Sequence, residues 1–120
     1  MALKLLHKGS EDERRWKIIE ASKNADDNYL PQLHARLLSD ECLENKRHII
    51  RALGKIRSSS SIPYLLEMLT QSKGLILGDL CQTLSKLEAK EATEQIEKLL
   101  DHKESWVQQE AKSAFKKLST

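Results

Sequence analysis

The sequence predicts an all-α fold, specifically a right-handed α-solenoid (an α/α superhelix) built from antiparallel helix pairs. Three observations support this prediction: the choice of residue types, a repeat of 31 residues, and the apolar spacing within each repeat. Aromatic residues make up only 4% of the chain, and valine occurs once, at Val107. Strand-forming residues are therefore scarce while leucine and other helix formers are plentiful, which argues against an all-β fold.

The repeat is visible when the chain is written in steps of 31 residues. Four columns of mostly apolar residues then align, and each row has the spacing i, i+3, i+4 and i+7 of one helix face. The second column holds only small residues, which predicts a close crossing of neighbouring helices. The columns are Ile18/Ile49/Leu80/Ala111, Ala21/Ala52/Thr83/Ala114, Ser22/Leu53/Leu84/Phe115 and Ala25/Ile56/Leu87/Leu118.

A second helix is predicted after each of the first three rows. We call the helices that carry the columns first-type and the helices that follow them second-type. Pro31 and Pro63 stand where two second-type helices should begin, a position at which the fixed φ of proline suits the helix. The segments Ser10–Glu13 and Ser105–Gln108 have the spacing of a capping box and predict the starts of two first-type helices.

The chain is long enough for one domain with one core, and we expect residues 1–120 to form a single repeat domain. It should contain about seven helices, with the start of the fifth weakened by Gly74 and Gly78. The predicted units are a partial helix at 1–9, helix pairs at 10–40, 44–72 and 75–102, and a terminal helix at 105–118. The predicted helices cover 10–24, 29–39, 44–57, 61–71, 75–88, 91–101 and 105–118.

Composition also bounds location and partners. The chain is 32% charged, yet its formal net charge is only +2, which argues against a role dominated by nucleic-acid electrostatics. No segment approaches the ~18 consecutive apolar residues of a membrane span, and no signal peptide is evident. We therefore expect a cytoplasmic protein with no membrane contact, in which Cys42 and Cys81 are reduced thiols. Cys81 adjoins the Leu80 column and should be a core residue.

A resemblance to a known family is carried by five segments: Ala52–Ile56, Ile62–Leu65, Met68–Leu69, Leu100–Asp101 and Trp106–Val107. They resemble the HEAT-like repeats of the phycobilisome-lyase HEAT-like family. In that family an arginine follows the valine, whereas in this chain Gln108 follows Val107. The resemblance implies an α-solenoid and, as one alternative function, an accessory subunit of a bilin lyase.

The titratable residues do not form a recognisable catalytic set. No two histidines lie three or four residues apart, the spacing that would give one helix a two-histidine metal edge. A glycine-rich phosphate loop is also missing from the sequence. We expect no enzymatic activity of the chain by itself, no cofactor and no metal. The four histidines are His7, His34, His48 and His102.

Basic residues form one ridge on the third predicted helix. Arg47, Arg51 and Lys55 follow each other at intervals of four and share one helix face. One interpretation is a solvated outer face. The alternative is a surface that binds the nucleic-acid backbone.

The main functional prediction is a non-catalytic protein-protein interaction scaffold. Second-type helices line the concave side of HEAT-like solenoids, so the resemblance implies a binding surface there. A second hypothesis is a homo-oligomer formed through an open solenoid end, since the terminal helix has no second-type helix behind it. Trp16 either contacts a partner or covers Leu5 and Leu6. The predicted partner-binding residues are Gln32, Tyr64, Glu67, Gln95, Lys98 and Trp16.

Overall fold

The computed structural model describes residues 9–120, and this range contains seven α-helices and no strand. The predicted partial helix at 1–9 lies outside the described residues apart from Gly9. The largest difference concerns the sixth helix, which is much shorter than the predicted 91–101 because turns replace its last residues. The helices are α1 (Glu11–Lys23), α2 (Leu30–Leu37), α3 (Leu43–Ile56), α4 (Ile62–Gln71), α5 (Ile76–Lys86), α6 (Thr93–Glu97) and α7 (Ser105–Leu118).

The turn that leads into each second-type helix is itself repeated. Ala25, Arg57 and Glu88 each adopt a left-handed conformation, with φ of 47°, 59° and 54°. A short 3-10 helix then precedes α2, α4 and α6. Ala25 turns one residue earlier in its repeat than Arg57 and Glu88 do, because α1 ends at Lys23. Ala25 is therefore exposed, and its predicted place in the fourth apolar column was wrong.

The helices pack in two rows, as a solenoid requires. In the first-type row, α3 packs between α1 and α5, and α5 packs between α3 and α7. In the second-type row, α2 contacts α3, α4 contacts α5 and α6 contacts α7. The molecule is elongated, with extents of 43 × 25 × 20 Å. This all-helical arrangement is consistent with the predicted α-solenoid.

The apolar columns form the centre of the core. Every member of the Ile18 and Ala21 columns is buried, and so are Leu53 and Leu84. The column of small residues does mark a close crossing: the buried Thr83 Oγ1 donates a hydrogen bond of 3.0 Å to the carbonyl oxygen of Ile50 on the preceding first-type helix. A Cβ atom on Gly54 would lie only 3.3 Å from the same hydroxyl.

Helix starts agree with the sequence at three positions and differ at one. The Glu13 amide donates to Ser10 Oγ at 3.2 Å and the Ser10 amide to Glu13 Oε1 at 3.3 Å, which completes the predicted capping box. Prolines stand in the first turn of α2 and of α4. The predicted box at Ser105 was wrong, because Glu104 is the N-cap residue and its amide donates to His102 Nδ1 at 3.0 Å.

Candidate functional site

Three exposed leucines lie at or beside helix ends. Leu38 follows α2, Leu43 opens α3 and Leu75 precedes α5. Leu43 is 59% exposed, and Leu38 and Leu75 are each 43% exposed. Leu38 and Leu43 line a depression of about 240 Å³ together with Met68. We call Leu38, Leu43 and Leu75 the leucine edge.

Two lysines line this depression. Lys46 of α3 and Lys73 of the α4–α5 turn both line it, and the described residues around it include no carboxylate. Gln71 also lines the depression, and its Nε2 donates to Glu67 Oε1 at 3.3 Å. The leucine edge therefore combines apolar side chains with a positively charged rim. These leucines stand outside the aligned columns, and an isolated leucine gives no sign of exposure, so the sequence alone does not mark them.

The predicted partner-binding residue Tyr64 lies on α4, with its ring against α2. It lines a depression of about 410 Å³ with Leu30 and Pro31. Its ring stacks on His34, with centroids 4.1 Å apart and planes at 14°. His34 Nε2 lies 2.8 Å from the buried Ser61 Oγ, and burial lowers the pKa of this histidine. Neutral His34 thus supports the tyrosine ring at the surface.

Gln95 and Lys98 lie in a separate depression of about 220 Å³ between α4 and α6. Gln95 Oε1 is buried and accepts no hydrogen bond from the described residues. Gln32 is half-buried in α2. Trp16 is 71% exposed on α1, in the other helix row, and the predicted cover for Leu5 and Leu6 falls outside the described residues. The structure thus distributes the predicted partner-binding residues over several places.

Two residues of the predicted basic ridge bind a carboxylate. Arg47 Nε lies 2.5 Å from Asp79 Oδ2, and Arg51 Nη2 lies 3.3 Å from Asp79 Oδ1. The Asp79 side chain is fully buried in the first turn of α5, so these contacts join α3 to α5. Lys55 has no ion pair within the part of the chain that the structure describes. The sequence alone does not mark Asp79, because its partners lie about one repeat earlier.

Trp106 covers the same junction from α7. Its ring lies against Gly78, where a Cβ atom would come within 2.2 Å of Cζ3. The guanidinium carbon of Arg47 lies 5.8 Å from the centroid of this ring, a cation–π distance. Arg47 is therefore held between Asp79 and Trp106, which gives it a structural role.

A second buried carboxylate, Glu41, joins the preceding helices. Glu41 Oε2 accepts from Arg14 Nε at 2.7 Å and from Arg36 Nη2 at 3.0 Å. Burial alone would raise the pKa of Glu41, but hydrogen bonds from Arg14 and Arg36 and from the Cys42 amide outweigh it and lower the pKa to about 2. Glu41 is therefore ionised at neutral pH and ties α1 to the α2–α3 turn.

Residues 9 to 120 include possible metal ligands and a buried thiol. In that range no group of three or more His, Cys, Asp or Glu could hold a metal ion. Cys81 is fully buried, as predicted, and burial raises the pKa of its thiol to about 12. A thiol with that pKa is a poor nucleophile at neutral pH. None of the described helices is long and apolar enough to cross a bilayer.

Comparison with known proteins identifies the repeat. The family described as HEAT repeats matches residues 1–77, a span that includes α1 to α4 and the leucines at positions 38, 43 and 75. A search of curated proteins found no match. Since the family match covers more than half of the chain, the protein belongs to the HEAT-repeat family.

Proposed function

We propose that this protein is a non-catalytic interaction scaffold whose protein partner docks on the leucine edge. HEAT repeats are generally protein-interaction scaffolds and are typically non-catalytic. The observation that carries the proposal is the exposure of Leu38 and Leu43 around one depression, beside exposed Leu75, whose neighbour Ile76 also lines it. Exposed apolar surface with a polar rim is typical of protein interaction sites, because its burial against a partner is favourable.

The rim defines the chemistry of the partner. Lys46 and Lys73 would face carboxylates that flank an apolar anchor, so a partner helix with leucine-like side chains and acidic neighbours fits best. The apolar anchor would fill the depression between Leu43 and Met68. The lysines would increase the rate of association more than the affinity.

Affinity capture with paired variants tests this proposal. The tagged wild-type protein should retain a partner from native lysate, and Leu43→Ser should retain it at least about tenfold less, because hot-spot residues at interfaces dominate binding. Trp16→Ser is the matched control, since Trp16 is the other large exposed hydrophobic residue among those described. Loss of the partner with Trp16→Ser but not with Leu43→Ser would contradict the leucine edge and assign the interface to α1.

The second-type row is a second proposed contact surface. Its support is the depression between α4 and α6, which Gln95 lines next to exposed Lys98. Gln95→Leu removes the amide from this depression and should reduce capture without destabilising α6, because the buried Oε1 that lacks a partner is unfavourable in the free protein. Unchanged capture would exclude this contact.

The other functions stay weaker proposals. Nucleic-acid binding through the basic ridge loses support because Asp79 pairs with Arg47 and Arg51. An accessory role in a bilin lyase rests on the sequence resemblance. For a homo-oligomer through the terminal helix, the exposed residues of α7 include Lys112 and Lys116 and, in the described chain, no large hydrophobic residue. This polar face is typical of a solenoid cap.

A further inference from the structure

We propose that a groove across α1, α3 and α5 binds an acidic peptide segment of a protein partner. The groove has a volume of about 380 Å³ and lies on the first-type row. Its cations are Arg51, Lys55 and Lys86, and we call it the cationic groove. Among the residues described around the two sites, the groove and the depression at the leucine edge have no member in common, so this inference does not rest on the proposed function.

The charge of the groove is largely uncompensated. The described residues that line it include no carboxylate. Lys55 and Lys86 are exposed and form no ion pair within residues 9–120. Arg51 is 49% exposed and shares Asp79 with Arg47, which makes the shorter contact. Three cations that converge on one concavity attract anionic groups more strongly than scattered cations do.

The environment of His48 agrees with this positive potential. His48 lines the groove beside Arg51. Its pKa is lowered first by burial and then by the positive charges of Arg51, Arg15 and Arg47, although Glu44 opposes the shift. His48 is therefore neutral at pH 7 and can form a hydrogen bond with a bound peptide group.

The remaining lining favours a peptide over a nucleic acid. Ile19 offers an apolar contact, while Ser22 and Gln82 offer hydrogen-bonding groups for a peptide backbone. No Phe, Tyr or Trp is among the described members of the groove, whereas sites for single strands usually stack bases on large aromatic rings. A segment in which an apolar residue is flanked by carboxylates would satisfy both the cations and Ile19.

The helix packing sets the length of the segment. Neighbouring helices pack about 8–10 Å apart, so a groove that runs from α1 across α3 to α5 spans roughly 20 Å. An extended chain covers at most about 3.5 Å per residue, so roughly six residues suffice. Short acidic segments of a larger partner are therefore the expected occupants.

Fluorescence anisotropy with a labelled peptide tests the inference. The probe is a short peptide of glutamates interrupted by one leucine, at low salt, where exposed charges are least screened. The wild-type protein should bind it, and the double variant Lys55→Glu/Lys86→Glu should bind at least about tenfold more weakly. Lys112→Glu/Lys116→Glu on α7 is the control, because it changes the net charge equally at exposed positions outside the groove, and should stay within about twofold.

Three outcomes would overturn the inference: no binding by the wild type, equal losses in both double variants, or tighter binding of a labelled oligothymidylate than of the peptide. The last would identify the groove as a nucleic-acid site. If the glutamate variant does not fold, Lys55→Gln/Lys86→Gln should still weaken binding. Leu43→Ser should bind the probe like the wild type, so failure of the groove and failure of the leucine edge are distinguishable.

Discussion

The behaviour of single side chains in this protein follows from what packs around them. Cys42 and Cys81 are both free thiols, but Cys81 is buried in α5 whereas Cys42 is half-exposed before α3. Gly78 and Gly54 both lie inside first-type helices, yet an aromatic ring covers Gly78 and a hydroxyl approaches Gly54. Residue type alone would not separate the members of either pair.

The thiols should therefore differ in reactivity. With Ellman's reagent at neutral pH we expect Cys42 to react in the native protein and Cys81 only after denaturation, because burial keeps Cys81 protonated and inaccessible. The measurement is the absorbance released per chain with and without guanidinium. Cys42→Ser is the control and should abolish the native signal. Rapid reaction of Cys81 in that variant would contradict its place in the core.

The contact between Gly78 and Trp106 gives a second prediction at this scale. Gly78→Ala should destabilise the protein by about 1–3 kcal/mol, because the added Cβ would collide with the Trp106 ring and the gain in helix propensity is smaller. Urea titration measures the change in unfolding free energy. Gln109→Ala, at an exposed position of the same repeat column, should change it by less than about 0.5 kcal/mol. A stabilised Gly78→Ala protein would show that the ring can move away.

At the scale of the elements, α3 and α5 each carry an equivalent buried apolar stripe. Leu53 and Leu84 stand at equivalent positions one repeat apart, and both are fully buried. Each helix buries its stripe against neighbours on both sides, so the packing of one repeat supports the next. The sequence repeat is thus a repeat of contacts between helices.

Truncating this stripe should be costly in both helices. We expect Leu53→Ala and Leu84→Ala each to reduce the unfolding free energy by about 2–5 kcal/mol, from lost apolar burial and the cavity left behind. Leu43→Ala, at an exposed leucine of α3, should change it by less than about 0.5 kcal/mol. Urea unfolding of the three variants tests this. Losses below about 1 kcal/mol for both buried leucines would show that the stripe is assigned wrongly.

At the scale of the whole molecule, two buried carboxylates connect successive helices. Glu41 binds Arg14 of α1 and Arg36 of α2, and Asp79 binds Arg47 and Arg51 of α3. Each is fully shielded from solvent. Removal of one partner from such a cluster leaves the other charges buried and unpaired, which is strongly unfavourable.

The Glu41 cluster should therefore make stability depend on pH. The pKa of Glu41 is lower in the folded than in the unfolded state, so its contribution is fully present above pH 4.5 and is lost as pH falls towards about 2. Glu41→Gln should destabilise the protein by about 3 kcal/mol at pH 7. Urea titrations should show that the difference between variant and wild type shrinks below pH 4.5. Asp40→Asn, at an exposed neighbouring carboxylate, is the control and should have little effect. A difference that does not depend on pH would contradict this origin.

The sequence by itself determined the helices and their repeat. The period of 3.6 in the apolar residues, the prolines at the starts of α2 and α4 and the capping box at Ser10 act over a few residues, so local physics predicts α1 to α5 well. Local signals do not predict the short α6 or the start of α7 without a capping box at Ser105. Turns replace the last residues predicted for α6, and α7 begins after Glu104 with no side-chain cap hydrogen bond.

Only the tertiary structure decided which side chains are exposed and which charges meet. Leu38 and Leu43 are the same residue type as the buried leucines of the core, and only the arrangement of α2, α3 and α4 leaves them exposed to solvent. The sequence places Arg51 in a basic ridge, whereas the packing of α5 against α3 places Asp79 Oδ1 3.3 Å from Arg51 Nη2. The physical reason is range: helix formation depends on neighbours along the chain, whereas burial and ion pairing join residues about one repeat apart.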